Sequence, residues 1–68
     1  MDKEMSFNDE NLVPDTEASV ILNVAVQTVR NWRHKGAGPA YHKFGRAVRY
    51  RIRDLREYIR QNRVEPTN

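Results

Sequence analysis

Apolar residues recur along this chain with more than one period, and each period marks an element. Ala18, Ile21 and Leu22 fall at i, i+3 and i+4, the spacing of one helical face. Pro14-Asp15-Thr16-Glu17 precedes them as a helix start, with Asp15 or Thr16 as cap and acids in the first turn, where the helix dipole favours negative charge. Asn23 tolerates the left-handed conformation and ends this helix, leaving Val24 to plug the corner. A second helix is predicted from about Val26 to Lys35, stopped at Gly36 and barred from continuing by Pro39. On its wheel Val29, Trp32 and part of Arg33 share the core side with Ala25, while Gln27, Arg30, Asn31 and His34 project the other way. From Ala40 the period shortens to two, so Tyr41 to Phe44 and Ala47 to Tyr50 read as strands about a Gly45-Arg46 turn, with Phe44, Val48 and Tyr50 facing the core together. A third helix begins near Arg53-Asp54, runs to about Asn62, and brings Leu55, Tyr58 and Ile59 to the core, which it closes against Trp32.

Two short helices about a tight corner, followed by a hairpin and a closing helix, predict a mainly α fold with a small β-hairpin. This is a winged helix-turn-helix, three helices plus a two-stranded wing. The domain spans residues 12 to 62, between a mobile acidic tail (1 to 11) and a C-terminal tail (63 to 68). In such an arrangement the second helix meets a major groove. Its outward residues suit that surface: Arg30 can take guanine O6 and N7 together, and Gln27 or Asn31 can do the same for adenine N6 and N7. Thr28 and Arg33, at the edges of the apolar stripe, are placed for phosphate oxygens, and His34 is a groove-facing donor or a bystander. Lys43, Arg46 and Arg49 are left outward or at the hairpin tip, within reach of a backbone or a narrow minor groove.

Charge reinforces this picture because it is segregated. The formal net charge is only +3, yet residues 1 to 17 carry six acids against Lys3 alone, whereas residues 30 to 63 carry eleven bases against Asp54 and Glu57. A basic surface of that density attracts a polyanion by counterion release. The acidic tail reads mainly as solubilising, the alternative being that it lies over the basic face and competes with DNA. With 68 residues there is one small domain, whose core contributes only about 3 to 5 kcal/mol of net stability. The chain has no cysteine, so no disulfide or thiolate zinc site staples it, which fits a reducing cytosol. No apolar run approaches the roughly 18 residues of a membrane span, and the acidic start is unlike a signal peptide, so a cytoplasmic location is expected.

Catalytic readings fail on inventory. His34 and His42 are the only histidines, and a metal pair would need carboxylates that the basic half scarcely supplies. Ser6 and Ser19 have no base in a plausible triad, and Gly36-Ala37-Gly38-Pro39 lacks the lysine and spacing of a phosphate-binding loop. No enzyme activity, cofactor, metal, membrane or small-molecule substrate is expected. The spacing of Trp32 with Val29 assigns it to the core, and Tyr41 is either a partly buried strand residue, the favoured reading, or a wing contact.

The residues Glu17-Ala18, Leu22-Asn23-Val24, Thr28-Val29-Arg30, Trp32-Arg33, Gly38-Pro39, Phe44-Gly45-Arg46, Val48-Arg49-Tyr50 and Asp54-Leu55 stand in an order that resembles the small winged-helix excisionases. That family, also called recombination directionality factors, is related to the MerR-type DNA-binding domain and includes small prophage regulators. The resemblance covers roughly Leu12 to Arg60. It implies that the Val26 to Lys35 helix enters the major groove, that the Lys43 to Val48 wing touches the adjacent minor groove or backbone, and that an integrase is directed towards excision. It also implies side-by-side binding along DNA, for which the apolar Val20 and Val26 are candidate contacts. The alternatives are a prophage-type transcription regulator at a promoter and a basic adaptor for an acidic protein partner. Four positions depart from the family pattern: Asn23 and Ala25 replace the usual Gly and Ser of the corner, Ser19 replaces an alanine, and Arg53 stands where a small hydroxyl cap is common. The Ala25 change leaves the second helix uncapped, at a cost of about 1 kcal/mol.

Overall fold

The computed structural model describes residues 8–67. Its elements are β1 (Leu12–Val13), α1 (Asp15–Leu22), α2 (Val26–His34), β2 (His42–Phe44), β3 (Ala47–Arg51) and α3 (Ile52–Gln61). The expected helices and hairpin are all present, and the fold is a helix-turn-helix with a wing-like hairpin. One strand was not legible from periodicity. Two residues of β1 pair antiparallel with β3, Leu12 opposite Arg51 and Val13 opposite Tyr50, so the sheet has three strands in the order β1-β3-β2.

Local chemistry accounts for most boundaries. Asn23 adopts φ 58°, and the N–H groups of Asn23 and Val24 return to the carbonyls of Val20 and Ser19, closing α1 as a left-handed residue should. The N-terminus of α1 differs from expectation. Pro14 is the cap residue, its carbonyl accepting from the Glu17 and Ala18 N–H groups, and neither Asp15 nor Thr16 caps with its side chain. Asp15 is the first helical residue and its carboxylate is engaged elsewhere. Ala25 provides α2 with no side-chain cap, as its methyl dictates. After α2, Gly36 takes φ 70° and the chain turns back over Trp32. A Cβ at Gly38 would lie 2.9 Å from the Trp32 Cβ, so only glycine lets the loop pass this close.

The core consists of Val13, Ala18, Val29, Tyr50, Ile52 and Leu55, flanked by Ile21, Leu22, Val24, Trp32 and Val48. Trp32 packs on Tyr58 at 5.5 Å between ring centroids, which joins α2 to α3. Two expected core residues, Phe44 and Ile59, are exposed instead, as is Tyr41, for which partial burial is the favoured reading. Phe44 lies opposite Ala47 in the hairpin, and Lys43 opposite Val48, so strand alternation turns Phe44 to the face away from Val48 and Tyr50; it is 56% exposed. Tyr41 precedes β2 and only leans on Tyr50, at 5.8 Å, leaving an exposed ring. Ile59 lies past the end of the packed interface, lining an open apolar groove of about 300 Å³ with Leu22, Val24, Trp32, Tyr58 and Asn62.

The segment expected to be a mobile tail divides. Residues 1–7 lie outside the described residues. Residues 8–11 form a turn in which Asn8 Oδ1 accepts from the Glu10 N–H, and they fold onto α3. The Asn11 and Asp9 carbonyls accept from the N–H groups of Ile52 and Arg53, each at 2.9 Å. Arg51 gives α3 no side-chain cap, so this turn satisfies two of the donors that every helix start exposes.

Candidate nucleic-acid interface

The outward row of α2 forms as its spacing requires. Gln27, Asn31 and His34 are exposed, and the Gln27 amide donates to Asn31 Oδ1 at 3.0 Å, one helical turn apart. Arg30 lies on the same surface with 41% of its side chain accessible, but it is not free. Its Nε donates to Asp15 Oδ2 at 2.9 Å and its Nη2 faces Oδ1 at 3.4 Å. That hydrogen bond, supported by the charges of Arg30 and Arg33 and by the Thr16 N–H, outweighs partial burial and holds the Asp15 carboxyl below its ordinary 3.8. The same hydrogen bond holds the Arg30 guanidinium above its ordinary value.

Thr28 and Arg33 sit at the margins. Thr28 is half-buried. Arg33 turns inward: Nη1 donates to the Tyr50 hydroxyl at 3.2 Å and lies 3.6 Å from Asp15 Oδ2, while its Cζ stands 6.0 Å from the Tyr41 ring centroid. A side chain expected at the flank of the reading face therefore ties α2 to β3. Lys35, which closes α2 and is exposed, extends the cationic edge of the helix.

Hairpin register sorts the wing residues. Lys43 lies opposite Val48 and so projects from the face that packs on the helices, whereas Arg49 lies opposite His42 and projects from the other face. Arg46 occupies the exposed tip. Arg49 folds back so that Nη1 donates to the Val48 carbonyl at 2.8 Å. The structure thus does not gather the three wing cations on one face. Lys43 shares the helix-packed face, Arg46 crowns the turn, and Arg49 lies behind them.

Ion pairing divides the basic half of the chain further. Asp15 engages Arg30 and Arg33; Glu10 engages Arg51 and Arg53; Asp9 engages Arg56 at 2.9 Å; Glu57 engages Arg60; and Glu65 engages Arg63. Among the described residues, no carboxylate pairs with Lys35, Lys43, Arg46 or Arg49. These four stand at the end of α2 and in the hairpin. Sequence reasoning left Lys35 out of the candidate residues, although its place at the end of α2 was a sufficient signal. It assigned Asp15 to a cap; a contact between residues fifteen positions apart in different helices has no local signature.

Among the described residues no helix is long and apolar enough to cross a membrane. A family model described as a helix-turn-helix domain matches residues 16–63. No curated protein matches the chain.

Proposed function

The chain belongs to the helix-turn-helix domain family and is a DNA-binding helix-turn-helix protein, and from that premise we propose that it is a non-catalytic, sequence-preferring architectural factor of the excisionase kind. It binds double-stranded attachment-site DNA, bends it, and directs an integrase towards excision. The observation that carries the DNA side of this reading is the location of the cations that pair with no carboxylate among the described residues. Lys35 closes the helix that carries Gln27, Arg30, Asn31 and His34, Lys43 projects from the sheet face that packs on the helices, and Arg46 occupies the exposed hairpin tip, a distribution that supports backbone-binding charge beside base-reading groups. In this reading α2 lies in the major groove, where Arg30 pairs with guanine and Gln27 or Asn31 with adenine. The wing cations hold the adjacent backbone or narrow minor groove, and contacts on both sides of a groove favour a bent duplex. The excision role rests on the order of motifs from Glu17-Ala18 to Asp54-Leu55, which resembles the excisionase pattern.

The DNA reading predicts that Arg30→Ala lowers discrimination between a selected duplex and a scrambled one about ten- to a hundredfold, whereas Arg46→Ala weakens both duplexes alike. Binding isotherms on the two duplexes check this. The excision reading is tested by establishing whether an integrase is encoded beside this chain and reconstituting recombination with it. Excision product that forms only when the protein is present supports it. Unchanged recombination, with altered transcription from a promoter carrying the selected site, replaces it with the regulator.

A further inference from the structure

A guanidinium can be gripped along two edges. The side edge offers Nε and Nη2, the end edge offers Nη1 and Nη2, and either can span two acceptors. In Arg30 the side edge is taken by Asp15, through Nε to Oδ2 at 2.9 Å and Nη2 to Oδ1 at 3.4 Å. The end edge remains available to a ligand. Asp15 is itself well fixed: it opens α1, its side chain is only 17% exposed, and Arg33 approaches the same oxygen at 3.6 Å while bonded to the Tyr50 hydroxyl. Residues of α1, α2 and β3 thus converge on one carboxylate and aim one arginine.

Two consequences follow for recognition. An arginine held along its side edge loses most of its rotamers before binding, so less freedom is lost when it meets a base. A carboxylate beside the guanidinium also repels a phosphate, the sequence-independent partner that a free arginine would otherwise choose. Guanine O6 and N7 are neutral acceptors at a spacing that suits the end edge. Asp15 therefore favours the informative contact over the uninformative one.

We propose that Asp15 is a specificity-determining positioning residue, which holds Arg30 by its side edge so that the Nη1–Nη2 edge reads guanine in the major groove and stays off the backbone. The proposal rests on the reading in which α2 enters that groove, and the test separates the two. Duplexes are selected from a library with a randomised core by the unmodified protein, by Asp15→Asn, by Arg30→Ala and by Arg30→Lys, and affinities are measured on the selected and scrambled duplexes. The unmodified protein is expected to select a site with at least one guanine position that Arg30→Ala loses. Asp15→Asn should weaken preference at that same position about tenfold, keep the preferences set elsewhere, and leave affinity for the scrambled duplex equal or higher. Arg30→Lys retains the charge but cannot grip a carboxylate and a base edge at once. It should lose the same guanine without disturbing Asp15, which guards against a variant that merely misfolds. Retention of the guanine by Asp15→Asn overturns the proposal, as does an even loss across all positions and duplexes. Retention of the complete site by Arg30→Ala overturns both the proposal and the placement of Arg30, and failure of the unmodified protein to select any site removes the reading beneath them.

Discussion

Helix α3 holds three cations, Arg53, Arg56 and Arg60, and the hairpin four, Lys43, Arg46, Arg49 and Arg51, and the two sets have different surroundings. Those of α3 face Glu10, Asp9 and Glu57. In the hairpin Arg51, at the end of β3, faces Glu10, but Lys43, Arg46 and Arg49 pair with no carboxylate among the described residues. Formal charge along the sequence already favours the hairpin, because Asp54 and Glu57 lie within α3 and the hairpin has no acid. Folding widens the difference, because the acidic turn at residues 8–11 docks on α3 to satisfy its first N–H groups and brings two carboxylates with it. The surface pairs formed there contribute little stability, roughly 0 to 1 kcal/mol each, but they cancel the local field that would attract a phosphate chain. The hairpin keeps its field, so under the proposed function α3 supports the fold and the hairpin is the side expected to bind.

The sharpest division between these roles concerns stability. Leu55 is fully buried at the centre of α3, and Leu55→Ala should cost about 3 kcal/mol in urea denaturation, enough to unfold much of so small a domain. The hairpin counterpart Phe44→Ala removes a more exposed ring and should cost less than about 0.5 kcal/mol. Equal losses at the two sites would break the contrast.

A smaller effect appears on acidification. The Asp15 carboxyl is held below its ordinary 3.8 in the folded protein, chiefly by Arg30, so the unfolded chain takes up this proton first. The contribution of Asp15 is complete above about pH 4 and is lost as pH falls through the folded value. Asp15→Asn should therefore show a shallower fall in thermal midpoint below about pH 4, with the difference from the unmodified protein greatest near neutrality. An unchanged acid limb would mean that the carboxylate is not held.

A change in charge with little change in stability tests whether α3 takes part in binding. Replacing Asp9 and Glu10 together by alanine removes the carboxylates that face Arg51, Arg53 and Arg56 while leaving the capping carbonyls of Asp9 and Asn11 in place. Stability should drop by no more than about 1 kcal/mol. Affinity for a scrambled duplex at low salt should rise a few-fold, as α3 comes to resemble the hairpin. Unchanged affinity would show that α3 lies too far from the duplex for its charge to matter.

Much of this architecture was legible in the sequence because its determinants are local. Asn23 marks the corner by its tolerance of a positive φ, Ala18 and Val29 take the core positions their helical spacing gave them, and Gly45-Arg46 sets the hairpin turn. The failures share a physical origin in parity and distance. Strand periodicity identifies alternate positions but not which residue faces which across a two-residue turn, and the pairing of Phe44 with Ala47 reverses the face assumed for Phe44. A two-residue strand such as β1 has no measurable period and exists only because β3 is there to pair with it. The outward row Gln27, Arg30, Asn31 and His34 followed from the helical wheel, but the engagement of Arg30 and Arg33 by Asp15, and of the α3 arginines by Asp9 and Glu10, depends on contacts between distant segments.

The division of labour is tested most directly by the salt dependence of binding to one duplex, measured for the unmodified protein, Arg46→Ala and Arg56→Ala. With about five phosphates neutralised, log affinity should fall against log salt with a slope near −4.5. Arg46→Ala should reduce the magnitude of that slope by about 0.9, the loss of one phosphate contact, and Arg56→Ala should leave it unchanged. A slope that falls for Arg56→Ala and holds for Arg46→Ala would place the nucleic acid on α3 and contradict the account.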